Sequence, residues 1–326
     1  MSRLNELVDV RIIFSLFLVH VIIALVLCHF ILFIIAFTKT LHSPANLLLC
    51  NTCFATILHF IITTIQICLF YTESILGDWW CRILAYLTYS FLHMVCYSYV
   101  IQALSRLLFI AFHQHHYFLQ YKFHFILVIC QILISFLTLL SSLVTKDVVF
   151  RSFQMCYIQP TRVLHVAASF VTGYIAPFGI IIIIYTIIYC RVIRSSAFLR
   201  GRSHETKRDL QVMRNILVLF LVFLSAGIPS IIYMIITYTR HSSSVSLYMM
   251  PLLGTPFAVV VEKICLIFLN HEIRKATRKL LEDLHLIRPS NHVTDLAVST
   301  TYANKIPYHM ETVNITDKRV SIITIS

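Results

Sequence analysis

Seven long apolar stretches constrain this chain more than any other feature of its sequence. They lie at about 12–37, 45–70, 82–110, 123–144, 165–190, 212–238 and 246–269. Each is close to or beyond the roughly 20 residues that a helix needs to cross the hydrocarbon core of a bilayer. The run 175–188 is apolar on every face, whereas membrane β-barrels show alternating segments of about 10 residues. The sequence therefore predicts an all-α membrane protein built as a bundle of seven transmembrane helices.

The distribution of basic residues predicts which side of the membrane each loop faces. If the N-terminus is outside, the inner loops and the segment after the seventh span hold most of the Lys and Arg residues, including Lys39, Arg191, Lys207 and Lys275. Short cytoplasmic loops of membrane proteins carry such an excess. The net charge of +12 then matches anionic lipid of the inner leaflet rather than nucleic acid. We therefore expect a multi-pass plasma-membrane protein with its N-terminus outside and its C-terminus in the cytoplasm.

The predicted spans and their orientation divide the chain into four parts. We expect an extracellular N-terminus at 1–11, a transmembrane domain at 12–270, an amphipathic membrane-surface helix at 271–285 and a disordered cytoplasmic tail at 286–326. The surface helix sets Ile273 and Leu280 against a basic face, a pattern typical of helices that lie in a membrane interface. A calmodulin target would have a similar pattern. Its direct continuation from the seventh span favours the surface helix.

Two of the ten cysteines differ from the rest in their predicted position. Cys81 lies at the outer end of the third span and Cys156 in the loop after the fourth, both on the oxidising side of the membrane. A disulfide can form and persist there. We expect these two residues to form one, and the alternative is a pair of unlinked thiols.

Five short motifs occur in order along the spans. They are Trp80-Cys81 and Ser105-Arg106-Leu107 at the two ends of the third span, Pro177 with Tyr185 in the fifth, Phe223 with Pro229 in the sixth, and 268–275 after the seventh. In their order and separations they resemble the rhodopsin-like family of G-protein-coupled receptors over about 12–284. The resemblance implies a receptor that binds an extracellular ligand and activates a heterotrimeric G protein as its sixth helix opens.

Arg106 stands where the family has the Arg of its Asp-Arg-Tyr motif, and Asp209 stands where the family has an acidic partner for it. The resemblance implies that Arg106 and Asp209 bridge the third and sixth spans in the resting state. It also implies that Tyr185 takes part in coupling, and that Pro177, Phe223 and Pro229 are helix-bend and activation positions. The alternative for Arg106 is a side chain that simply reaches the lipid headgroups.

Other positions depart from the family pattern. Thr56 replaces the second-span Asp, Gly227 replaces the sixth-span Trp, and Thr88 removes the acidic anchor of amine receptors. The pocket candidates by family position are Thr88, Tyr89, Leu92 and Ser230. Without a fixed charge at Thr88, the resemblance implies a peptide, lipid or neutral small molecule as ligand rather than a monoamine.

Glu262 and Lys263 form an intramembrane charged pair where the family has the start of its Asn-Pro-x-x-Tyr motif. Ionisable groups inside a span are costly and are functional candidates by default. Adjacent residues point about 100° apart on a helix. We therefore expect Glu262 to face the bundle and Lys263 to reach the inner headgroups. The resemblance implies that Glu262, opposite Thr56, supplies the carboxylate of the family's sodium-binding cavity, and the alternative is a local pair tolerated near the membrane edge.

Catalytic and metal chemistry have little support in the sequence. It contains no nucleophile motif and no phosphate-binding Gly-rich loop, and no carboxylate or Cys accompanies the cluster of His113, His115 and His116. We expect no enzymatic activity, cofactor or metal. Two alternatives to a coupled receptor stay open: a seven-span partner or scaffold that has lost coupling, and a transporter or channel. A transporter would normally show repeats or broken helices with polar groups at mid-membrane.

Overall fold

A computed structural model describes residues 2–71, 77–111, 116–144, 148–149, 156–158, 163–198, 218, 221–222, 225, 227–240 and 245–283. The first three long helices are α1 (Ser2–Phe37), α2 (Pro44–Tyr71) and α3 (Asp78–Ala111). They are followed by α4 (His116–Leu119), α5 (Tyr121–Leu137), α6 (Leu140–Val144), α7 (Val163–Phe170) and α8 (Ala176–Phe198). The last three helices are α9 (Gly227–Arg240), α10 (Val245–Leu269) and α11 (His271–Asp283).

These helices follow the predicted spans, with differences at their ends. The helix α1 begins at Ser2, well before the predicted start at 12. The fourth span is α5, a turn at 138–139 and then α6. The fifth span joins α7 to α8 through a π-helical turn, Val171–Ile175. Of the sixth span, predicted at 212–238, the structure describes chiefly α9.

Five of the described helical segments are long and apolar enough to cross a membrane: Arg11–Phe37, Pro44–Leu69, Asp78–Ala111, Val166–Arg191 and Leu252–Leu269. Tyr121–Leu137 is apolar but shorter. Many large apolar side chains on these helices point outward, such as Phe37 at 74% and Leu137 at 64% exposed. Apolar exposure on this scale is rare for a folded protein in water and is expected where lipid tails are the solvent.

The third helix is the centre of the packing. It contacts α2, α5 and α8, while α1 packs against α2 and α10, and α9 packs against α10. The shared core consists of buried apolar side chains from these helices, among them Phe14, Phe60, Met94, Ile181 and Val259. Most of the buried polar groups described below lie on α2 and α3, where these helices face their neighbours.

Local sequence explains where two of the helices begin. Pro44 is the first residue of α2, a position where its missing N–H costs nothing. The Ser43 hydroxyl lies 3.4 Å from the backbone nitrogen of Asn46 and caps the same helix. Asn270 ends α10, and its side-chain oxygen accepts from the backbone nitrogens of Glu272 at 3.1 Å and Ile273 at 3.3 Å. A single Asn thus separates the last span from α11 and caps the new helix.

The chain divides into two compact units, Met1–Thr277 and Arg278–Ser326. The first contains all the spans and the first half of α11. In the second, the described residues are 278–283, the last turns of α11.

Candidate functional site

A disulfide joins the start of α3 to the loop that follows the fourth span. The sulfurs of Cys81 and Cys156 are bonded, with their Cα atoms 5.3 Å apart. Immediately after Cys156, the strand β2 (Tyr157–Ile158) pairs antiparallel with β1 (Val148–Val149). The crosslink therefore holds this small hairpin over the end of the bundle at which α3 begins.

The pocket candidates lie on α3 and α9, and one of them, Thr88, forms hydrogen bonds within α3 and to α2. The hydroxyl of Thr88 donates to the Leu84 carbonyl at 2.9 Å and accepts from Nε2 of Gln66 at 2.7 Å. The backbone carbonyl of Thr88 also accepts from Nδ1 of His59 at 3.2 Å. The hydrogen-bonding groups of Thr88 are thus used between α2 and α3. The other pocket candidates, Tyr89 and Leu92 on α3 and Ser230 on α9, are half-buried.

The π-helical turn of the fifth span is held by two side chains of α3. In this turn the backbone N–H of Ala176 donates to the carbonyl of Val171, which is five residues back instead of the four of an α-helix. The hydroxyl of Tyr97 donates to the Thr172 carbonyl at 3.0 Å. A Cβ atom at Gly173 would lie only 2.3 Å from Nε2 of His93. Only glycine therefore fits against this imidazole without rearrangement.

Tyr174, in the same turn, contacts the sixth span. A Cβ atom at Gly227 would lie 3.3 Å from Cε1 of the Tyr174 ring. The tyrosine therefore occupies space beside the position at which the family usually has Trp. Of the predicted helix-bend positions, Pro177 is buried in α8 and Pro229 is half-buried in α9, while Phe223 lies outside the described residues.

Polar side chains join the fourth span to its neighbours. Nδ2 of Asn51 donates to Oε1 of Gln131 at 2.6 Å, and Nε2 of Gln131 donates to the Met94 carbonyl at 2.6 Å. All three residues are buried. Gln131 therefore links α5 to both α2 and α3 and satisfies the hydrogen-bonding needs of two amides in an apolar setting.

A second buried polar cluster joins α2 to α3 at Thr52, the residue after Asn51 on α2. The hydroxyl of Thr52 donates to the Ser98 hydroxyl at 2.8 Å and accepts from Nε2 of Gln102 at 2.7 Å. The hydroxyl of Thr56, at the family's Asp position, donates to the Thr52 carbonyl of its own helix at 2.8 Å. Hydroxyl and amide groups thus replace a carboxylate at this level of α2.

The charged pair of α10 is buried and self-neutralising. Nζ of Lys263 lies 2.9 Å from one carboxylate oxygen of Glu262 and 3.0 Å from the other, and both side chains are essentially inaccessible. The expectation that Lys263 reaches the inner headgroups is therefore wrong: its four-carbon stem bends back to the neighbouring carboxylate inside the bundle. Tyr99 of α3 and the buried thiols Cys28 and Cys53 lie within electrostatic range of the pair.

The far end of α3 holds the predicted coupling residues. Tyr185 of α8 is buried, its hydroxyl lies within electrostatic range of the Arg106 guanidinium, and within the described part of the chain that hydroxyl has no hydrogen-bond partner. Arg106 itself is half-buried. Asp209, the predicted partner of Arg106, lies outside the described residues. The structure thus brings Arg106 and Tyr185 together at one end of the bundle.

The described residues contain no cluster of three His, Cys, Asp or Glu side chains that could hold a metal ion. Of the three clustered histidines, His113 and His115 lie outside the described residues, and His116 begins α4.

Comparison with known proteins assigns the fold to a family. A family profile described as "7 transmembrane receptor (rhodopsin family)" matches residues 12–262, about three-quarters of the chain. The match runs from the first predicted span to Glu262 in the seventh. No curated protein shows significant similarity to the chain.

Proposed function

The chain belongs to the rhodopsin family of seven-transmembrane receptors, and we propose that it binds an extracellular ligand and activates a heterotrimeric G protein as its sixth helix opens. It is a multi-pass membrane protein with a seven-helix bundle and a short amphipathic eighth helix, α11. Members of this family are receptors rather than enzymes. The coupling proposal is supported by Arg106 and the buried Tyr185, which lie within electrostatic range of each other at one end of the bundle.

This proximity supports coupling because the Tyr185 hydroxyl has no hydrogen-bond partner among the described residues. A buried hydroxyl without a partner costs about 1–3 kcal/mol relative to one that is satisfied. Among the described residues Tyr185 is in this condition, with a guanidinium within electrostatic range. A movement that brings Arg106 or water into contact with that hydroxyl would recover this energy.

In the proposed mechanism, Arg106 and Asp209 hold the third and sixth spans together at rest. The ligand shifts the equilibrium to an open state, and it can do so only by its preference for that state. Opening separates Asp209 from Arg106 and presents the guanidinium to the G protein. An Asp209→Ala variant should then raise signalling in the absence of ligand, and unchanged basal signalling would refute this part of the mechanism.

The ligand site we propose lies among the third, fifth, sixth and seventh spans and includes Thr88, Tyr89, Leu92 and Ser230. The hydroxyl of Thr88 is engaged with Gln66 and with its own helix, so it offers no fixed charge to a ligand. A peptide, a lipid or a neutral small molecule suits such a site better than a monoamine.

We place the protein in the plasma membrane with its N-terminus outside. The disulfide between Cys81 and Cys156 supports this orientation, since disulfides persist on the oxidising side. The opposite end of the bundle, where Arg106 lies, then faces the cytoplasm. The helix α11 would lie along the inner leaflet, with lipid contacts through its apolar face, and the tail that follows would be cytoplasmic.

An uncoupled partner or scaffold is the alternative. It is supported by the altered Ser105-Arg106-Leu107 and Glu262-Lys263 positions. A transporter has less support, because the buried amides of Asn51, Gln131 and Gln102 form hydrogen bonds between helices.

G-protein activation in cells separates these functions. Wild type, Arg106→Ala and the control Arg191→Ala, which removes an exposed Arg in the second half of α8, would be compared at equal surface expression across all G-protein classes. Both basal activity and a screen of peptide and lipid ligands would be measured. A signal abolished by Arg106→Ala and kept by Arg191→Ala supports the receptor, whereas silence of a well-expressed wild type supports the uncoupled partner.

A further inference from the structure

One buried hydrogen bond connects α3 to α5 directly beside Arg106. The hydroxyl of Ser105 lies 2.9 Å from Nε2 of His124. Ser105 is 2% exposed and His124 is fully buried. Because both polar groups are removed from solvent and lipid, each depends on the other for this hydrogen bond.

The second ring nitrogen of His124 fixes the direction of this bond. Nδ1 lies 3.1 Å from the backbone carbonyl of Gln120, which can only accept, so Nδ1 carries the hydrogen. In the neutral ring Nε2 is then the acceptor, and Ser105 donates to it. The histidine is thus anchored to the start of its own helix through one nitrogen and to α3 through the other.

Aromatic rings hold the imidazole in this orientation. Phe109, one turn beyond Ser105 on α3, stacks on His124 with ring centroids 5.6 Å apart, and Phe123 meets it edge to face at 5.9 Å. Phe123 also contacts Tyr117 and Phe118 of α4, at 5.6 Å and 5.2 Å. The imidazole therefore connects α3 to α5, and Phe123 beside it contacts the short helix α4.

We propose that His124 is a positioning residue that sets the direction in which the side chain of Arg106 points from α3. Successive residues of a helix point about 100° apart. When Ser105 is fixed toward α5, Arg106 is turned by this angle around the helix. The third helix packs against α8 on another face, and Tyr185 of α8 interacts with Arg106. The proposal rests on the proposed function, because it concerns the residue through which that function would operate.

The absence of a carboxylate from this bond gives it a specific role. The family has an Asp at the position of Ser105, and an Asp beside Arg106 would attract the guanidinium itself. Ser105 and His124 instead hold the turn of α3 in place without a carboxylate beside Arg106. The side chain of Arg106 is then directed toward Tyr185 and, in the proposed mechanism, toward Asp209 and a G protein.

The test compares Arg106-dependent signalling of Ser105→Ala, His124→Phe and the double variant. His124→Phe keeps an aromatic ring for the packing but removes the acceptor. Each single variant should lower the signal by about 3- to 10-fold, the range expected from one lost hydrogen bond. The double variant should lose no more than either single one. His124→Gln, whose side-chain oxygen can accept from Ser105, should retain signalling within about twofold of the wild type.

Ser135→Ala is the matched control. The hydroxyl of Ser135 is also buried in α5, but it donates to the Gln131 carbonyl of its own helix at 2.8 Å. It should signal like the wild type. Additive losses, failure of His124→Gln to restore the signal, or an equal loss in Ser135→Ala would overturn the positioning role.

The same experiment separates this inference from the function on which it rests. If the wild type signals no more than Arg106→Ala, the coupling function fails and the positioning role falls with it. If the wild type exceeds Arg106→Ala while Ser105→Ala and His124→Phe match the wild type, coupling stands and the positioning role alone is refuted. Surface expression of every variant would be measured, so that loss of folding is not counted as loss of coupling.

Discussion

Removal of the Lys263 ammonium should destabilise the receptor far more than removal of the whole charged pair. The two side chains are buried, and the ammonium lies 2.9–3.0 Å from both oxygens of Glu262. Breaking a buried pair leaves an uncompensated charge and costs about 3–5 kcal/mol, whereas replacing both partners by apolar residues is often neutral. Lys263→Met should therefore be much less stable than Glu262→Leu/Lys263→Met.

The free cysteines provide the assay. Cys28, Cys53 and Cys96 are buried, so a thiol-reactive fluorescent dye would report their exposure as the purified receptor is heated. The unfolding midpoint of Lys263→Met should fall by on the order of 10 °C. The double variant should unfold near the wild type, and so should Lys275→Met, which removes an exposed lysine of α11. A midpoint for Lys263→Met within about 2 °C of the wild type would refute the buried-pair energetics.

Three further outcomes follow from other contacts. Gln131→Leu should destabilise the receptor by about 1–3 kcal/mol, because Asn51 loses its buried acceptor; the same thermal assay would measure this, and no change would refute the network. Gly173→Ala should lower both stability and signalling, since its Cβ would lie 2.3 Å from Nε2 of His93, and unaltered behaviour in both assays would contradict that packing. Cys81→Ser should reduce the amount of receptor at the cell surface through loss of about 2–5 kcal/mol, as surface labelling would show; wild-type levels would argue against a stabilising crosslink.

The sequence was informative wherever a feature depends on composition over a whole span. A helix in lipid must satisfy its backbone internally and needs about 20 apolar residues, so length and hydropathy locate it. The described residues include helix in each of the seven predicted stretches, in the sixth chiefly Gly227–Arg240, and the family match covers 12–262. The ends were less predictable: α1 extends back to Ser2, because polar residues such as Asn5 and Glu6 also form helix outside the hydrocarbon.

Features that depend on a single side chain were harder to predict. The spacing of Glu262 and Lys263 on a helix implied separate directions, but a long flexible stem allows the ammonium to return to its neighbour. The π-helical turn at Val171–Ile175 was not predicted, and the close approach of Gly173 to His93 within it depends on the packing of α3. The Ser105–His124 bond joins residues 19 apart, on different helices, so only the packing of α3 against α5 brings them together.

Nucleotide exchange on purified G proteins, driven by the purified receptor in lipid nanodiscs, would measure coupling without other cell components. The proposed coupling requires that the wild type accelerates exchange on at least one G-protein class and that Arg106→Ala, equally folded by the thermal assay, does not. Equal exchange rates with the wild type, with Arg106→Ala and with empty nanodiscs, for every class and with the ligands found by screening, would contradict it.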